Sequence, residues 1–150
     1  MGSRTTGVTS FARVACALIL FVLTALTGCA SGPPTAEELA NADYGTPISQ
    51  SDAQSRAQSW LMTQLKDPLS AQCNWGPVQR GWTRGAPIEG GSLYFGYRME
   101  ASINAKNSFG GYVGFKPYVF MFKNGDLEHV WGQQELGSGD NTTPYMAKLK

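Results

Sequence analysis

The sequence predicts an α+β domain: one amphipathic N-terminal helix packed on an antiparallel meander of about four strands. Three observations lead there. Ala53, Ala57, Trp60, Leu61 and Leu65 recur at helical spacing. Leu93 to Asn104 alternates without a break between apolar and small or polar residues, as a strand with one buried and one wet face does. Asn124-Gly125 between two apolar runs is the hairpin turn that tolerates positive φ at both central positions.

The helix is expected from about Asp52 to Lys66. Ser51-x-x-Gln54 reads as a capping box, with Asp52 in the first turn where the helix dipole favours an anion. Pro68 stops it, having no amide hydrogen and restricting Asp67 before it. Asp67-Pro68 then starts a second short turn ending near Ser70 and Ala71.

A first strand is expected over Cys73 to Trp82, with Trp75, Val78 and Trp82 as its apolar residues, and a loop over the glycine-rich stretch Gly81 to Gly91. In the second strand Leu93, Phe95, Tyr97, Met99, Ala101 and Ile103 take the face the helix covers. The glycine-rich stretch from Asn104 to Pro117 reads as a long connection. Tyr118 to Lys123 is the third strand and Leu127 to Trp131 the fourth. Trp60, Leu61, Phe95, Tyr97 and Phe120 form the expected core.

The chain divides into 1–28, 29–48, 49–136 and 137–150. The first piece carries Arg4 and Arg13 and then a nearly all-apolar run, Val14 to Leu26. At 1.5 Å per residue that run spans only about 20 Å, short of a bilayer core of about 30 Å. A charged start, a short apolar stretch and a small-residue exit are the anatomy of a signal peptide. The exit, Leu26-Thr27-Gly28-Cys29, resembles the lipobox of bacterial lipoproteins. That resemblance implies a diacylglycerol thioether on Cys29, cleavage after Gly28 and acylation of the new amine. Two or more acyl chains anchor stably where one does not. By resemblance to the sorting of Gram-negative lipoproteins, Ala30 and Ser31 in place of an aspartate after the cysteine imply the outer membrane, with the domain in the periplasm. Residues 29–48, with Gly32-Pro33-Pro34, Gly45 and Pro47, read as a flexible tether in which Thr35-x-x-Glu38 caps a short turn. Residues 137–150 read as a polar tail.

Removing the first 28 residues leaves ten Lys and Arg against eleven Asp and Glu, a balance that gives no electrostatic case for nucleic acid. Cys73 then has no partner for an intramolecular disulfide. His129 is the only histidine, so no Cys/His metal cluster can be assembled and no cofactor is implied.

Two stretches stand out locally, Lys66-Asp-Pro-Leu-Ser-Ala71 and Asn104-Ala-Lys-Asn-Ser-Phe-Gly-Gly-Tyr-Val-Gly114. Together they resemble a family of small bacterial envelope proteins of unassigned activity that share K-D-P-x-S-A and N-A-K-N-S-F-G-G-Y-x-G segments. The resemblance spans roughly Ser51 to Val130 and implies a common fold, with no catalytic residue. In the second stretch the glycines lack the Gly-Lys-Ser/Thr and the helix of a phosphate loop. The candidate binding residues are instead Phe109, Tyr112 and Phe115, aromatics on a segment with little room to bury them all, together with Lys106 and Asn107 beside them.

Catalysis has a thin basis. Cys73 as nucleophile would need His129 as base and Asn74, Asn104 or Asp126 to orient it. Glu89, Glu100 and Glu128 are separated carboxylates. The expectation is a non-enzymatic, lipid-anchored envelope protein acting through a partner protein. The alternatives are a peptidoglycan or glycan module using Phe109, Tyr112 and Trp82, and a cysteine hydrolase.

Overall fold

The computed structural model describes residues 32–86, 90–138 and 141–150, with the backbone alone for 135–138 and 141–144. The signal segment, Leu26, Thr27, Gly28, Cys29 and Glu89 lie outside the described residues. The order is α1 (Ala36–Ala40), α2 (Gln50–Gln64), a 3-10 turn (Pro68–Ser70), then β1 (Gln72–Arg84), β2 (Leu93–Lys106), β3 (Tyr112–Lys123), β4 (Asp126–Ser138) and β5 (Asn141–Lys148). The strands form one antiparallel sheet in sequence order.

Helix α2 starts two residues before the expected box. Ser49 is its cap: its Oγ accepts from the Asp52 amide at 3.1 Å. Ile48, just outside the helix, packs on the core. The buried stripe is Ala53, Ala57 and Leu61, small residues that bring the helix axis close to the sheet. They meet Met99, Ala101, Ile103, Phe120, Phe122, Leu127 and Val130. Trp60 is half-buried and sets its edge on Phe120, ring centroids 6.1 Å apart. Phe95 and Tyr97, expected in the core, are half-buried at its margin.

The helix also fastens the edge strand. Pro77 has no amide hydrogen, and the ladder of β1 against β2 shifts between Trp75 and Val78. The Gln50 side chain spans that irregularity, donating to Gly76 O at 3.1 Å and accepting from Val78 N at 2.7 Å.

Three expectations are corrected. The sheet has five strands rather than about four, because the C-terminal stretch 141–148, read as tail, pairs with β4 from Trp131↔Lys148 to Ser138↔Asn141. The stretch 104–117 is mostly strand. Its Pro117 pairs with Ser102 of β2, past the last β3–β4 pair, Tyr118↔Gly132, where β3 has an open edge on the β4 side. The segment 32–48 carries the capped α1, but is fastened rather than loose. Tyr44 packs edge-on against Phe95 at 5.5 Å, Asp43 pairs with Lys123 at 3.0 Å, and Thr46 N donates to the Asn124 side chain at 3.1 Å.

The Asn124-Gly125 turn has the expected geometry, with φ of 53° and 83°. The sheet face away from α2 is less wet than alternation implies. Met121 and Trp131 are buried there, and Tyr94, His129 and Trp131 form an aromatic cluster with Tyr94 4.4 Å from His129 and 5.3 Å from Trp131. Gly96 permits the closeness of this packing. A Cβ on it would lie 2.5 Å from Phe122 O and 2.9 Å from Met121 Sδ.

Candidate functional site

The two stretches singled out in the sequence, 66–71 and 104–114, meet at one end of the sheet. Strands β2 and β3 run out to Lys106 and Tyr112 and are closed by residues 107–111. Asn107 builds this turn. Its Oδ1 accepts from Phe109 N at 2.9 Å and Gly111 N at 3.1 Å. Its amide donates to Gly111 O at 2.8 Å and its carbonyl accepts from Gly110 N at 3.0 Å. Gly110 takes the positive φ, 80°, that closes the turn.

Behind the turn the ladder shifts between Asn104 and Lys106. Asn104 is the buried polar residue that holds this irregularity. Its Oδ1 accepts from Gly114 N at 2.9 Å and its Nδ2 donates to Gln72 Oε1 at 3.2 Å. Tyr112 Oη donates to Ser70 O at 2.9 Å. Lys106 Nζ lies 3.8 Å from Asp67 Oδ2 and 5.4 Å from the Tyr112 ring centre. The hairpin is thus bonded to the 3-10 turn that follows α2.

This framework presents apolar side chains to solvent. Phe109 is 96 % exposed and Leu69, at the crest of the 3-10 turn, 87 %. Met62 and Val113 are about half exposed. Below Leu69, a groove of about 360 Å³ is lined by Leu61, Met62, Pro68, Ala71 and Cys73 among others.

Of the sequence-derived binding residues, Lys106, Asn107, Phe109 and Tyr112 come together here. Phe115 does not. It pairs with Asn104 and belongs to the sheet face away from α2. Leu69 and Met62 were missed. Leu69 had a signal, being the one large apolar residue of a turn opened by Asp67-Pro68; Met62 was hidden within the helix pattern. Trp82 lies near the far end of β1, paired with Phe95. Ten residues of strand at about 3.3 Å each put it roughly 30 Å from the start of β1, so Phe109, Tyr112 and Trp82 do not make one glycan site.

Nor do Cys73 and His129 make a nucleophile–base pair. Cys73 pairs with Ile103 on the α2 face, whereas His129 pairs with Met121 on the other. Burial raises the Cys73 pKa, the opposite of what an activated thiol needs. His129 is held below its ordinary value by burial first and Lys148 second. It is a half-buried member of the aromatic cluster rather than a strand-surface residue. Glu100 is occupied by Arg98 and Glu128 is exposed. Among the described residues no group of three His, Cys, Asp or Glu side chains is placed to hold a metal, and no helix is long and apolar enough to cross a membrane. No known protein family, curated protein or solved structure matches this chain.

Proposed function

We propose that this chain is a non-enzymatic envelope lipoprotein, held in the outer membrane by lipid on Cys29, whose periplasmic domain docks a partner protein through the hairpin end. The observation that carries the docking reading is the near-complete exposure of Phe109 and Leu69 on a turn and a hairpin that are hydrogen-bonded to each other. A large apolar side chain left in water on a rigid support loses burial energy that a partner restores. Its frame is already ordered, so little conformational entropy opposes binding.

Gly32, the first described residue, and the docking surface lie at opposite ends of the sheet. Arg84, at the end of β1, donates to Gly32 O at 3.0 Å. From Arg84 to Gln72 the strand runs roughly 40 Å at about 3.3 Å per residue.

Site-specific photocrosslinking in intact cells tests this. A photoreactive residue at Phe109 or Leu69 should give one discrete adduct, and one at Glu37, on α1, should not. Equal labelling at all three positions, or none at the hairpin, refutes docking there. The anchor is tested separately by the intact mass of the mature protein. A chain lacking added lipid on Cys29 refutes the lipoprotein reading.

A further inference from the structure

Strands β3 and β4 separate beyond one pair. Their ladder ends at Tyr118↔Gly132. On the far side of it β3 extends back to Tyr112, paired with β2, and β4 runs on to Ser138, paired with β5. Among the described residues no strand pairs with 112–117 on the β4 side, or with 133–138 on the β3 side. The sheet forks there, and each arm turns an open edge toward the other. The hairpin turn fixes which backbone groups of Tyr112 lie on that edge. Asn107 N donates to Gly111 O, which makes Lys106↔Tyr112 a pair without mutual hydrogen bonds. The amide and the carbonyl of Tyr112 consequently point to the open side.

The β3 arm also carries large apolar side chains in water: Tyr112, Val113 and Phe115 are each about half exposed. At the closed end of the fork lies a cavity of about 530 Å³, lined by Asn74, Ser102, Pro117, Val119 and Met146 among others. Register puts these five on one face, the one away from α2. Asn74 pairs with Ser102, and Ser102 with Pro117. Val119 pairs with Trp131, which is buried on that face, and Met146 pairs with Gln133, the next residue of β4 to point the same way. Phe115 shares the face, next in alternation after Pro117. Pro117, Val119 and Met146 give the cavity an apolar wall.

We propose that the fork binds one extended segment of a partner protein, which adds to β3 as a strand along 112–115. The shape selects the occupant. Open backbone donors and acceptors on a strand edge are satisfied by another strand. The second arm, β4 with β5 paired behind it, stands on the far side of the gap, so a single strand enters and the edge of a second folded sheet does not. Side chains of the added strand alternate between faces. Those on the face away from α2 meet Phe115 and the apolar wall of the cavity. The segment that fits is free of proline and carries an apolar residue at every second position. The inference rests on the docking reading for the partner's being a protein, and it extends that surface from Phe109 along β3.

Titrating the purified full chain with a capped peptide of alternating valine and threonine, bearing a lysine at each end, tests the proposal. The amide resonances of Tyr112, Val113 and Phe115 should shift saturably, while that of Gly81 on β1 stays in place. The same peptide N-methylated throughout keeps its side chains and loses its backbone donors. It should bind at least about tenfold more weakly. Phe115→Ser should weaken binding of the parent peptide by about tenfold. If that variant fails to fold, the N-methylated comparison, made on the native chain, decides alone. Equal affinity for both peptides would mean that side chains alone hold them, and overturns strand addition. Concentration-dependent shifts at the same amides without peptide would make the edge a contact between copies of this chain, and overturn it too. Absence of peptide binding overturns it even where crosslinks from Phe109 and Leu69 uphold docking at the hairpin. Peptide binding without those crosslinks upholds the strand site and removes the hairpin as a docking surface.

Discussion

The sheet face under α2 and the hairpin end carry the same kinds of side chain in opposite surroundings. Phe120, Val130 and Met99 are fully buried, while Phe109 and Leu69 stand almost wholly in water. The difference lies in what the local backbone needs. Beneath α2, apolar contact is the fold's main support, since the ladder alone leaves one sheet face unsatisfied. At the hairpin, hydrogen bonds from Asn107, Asn104 and Tyr112 hold the chain without help from Phe109 or Leu69. Their apolar surface is consequently free for another molecule.

The sharpest way to break this comparison is to truncate each region in turn. Phe120→Ala should cost about 3–5 kcal/mol, because α2 and the Trp60 and Trp75 rings cannot collapse fully into the space left. Chemical denaturation measures it. A loss below about 1 kcal/mol would mean that the covered face is not the supporting one.

Next in size is Asn104→Ala, which strips partners from the Gly114 amide and the Gln72 side chain. A loss of about 1–3 kcal/mol is expected. Hydrogen exchange should speed up at Gly114 and in residues 107–111 while the amides of Phe120 and Val130 stay protected. Uniform loss of protection would show that the hairpin and the covered face form one cooperative unit.

A smaller effect tests the face away from α2. Burial holds His129 below 6.5, with Lys148 adding to the depression and Glu128 opposing it. The unfolded chain then takes up a proton before the folded one does. The stabilisation is complete above the unfolded value and is lost as pH falls through it toward the folded value. The melting temperature should drop between about pH 7 and about pH 5, and His129→Gln should flatten that part of the curve. An unchanged slope in the variant would exclude His129 as the cause.

The smallest stability effect belongs to Phe109→Ser, within about 0.5 kcal/mol of the parent, together with loss of any crosslink made from Leu69. A melting temperature that falls as far as for Phe120→Ala would make Phe109 a structural residue and end the comparison.

How much of this was readable in advance differs by element. The stripe Ala53, Ala57 and Leu61, the alternation from Leu93 to Ile103 and the Asn124-Gly125 turn each carry their signal within a few residues, and all three were legible. The N-terminus of α2 was misplaced by two residues because Ser49 and Ser51 are both competent caps; the bond from Asp52 N to Ser49 Oγ decides between them. Strand β5 had no local signature. Thr142, Thr143, Pro144 and Tyr145 read as polar tail, and the strand exists because β4 offers an open edge. The candidate site was half legible. Its aromatic and glycine pattern marked residues 106–112, but Leu69 joined it only when Tyr112 bonded to Ser70 across 42 residues of chain.

By itself, the sequence determined the periodicities, the tight turn and the helix stop at Pro68, because each is set by dihedral preference or side-chain chemistry within a short window. Tertiary structure alone decided that Cys73 and His129 fall on opposite faces, that Trp82 is separated from Phe109 by most of a strand, and that 66–71 and 104–114 share one end. These follow from strand register, and in an antiparallel sheet a one-residue difference in register exchanges the two faces. Nothing local to either strand specifies it.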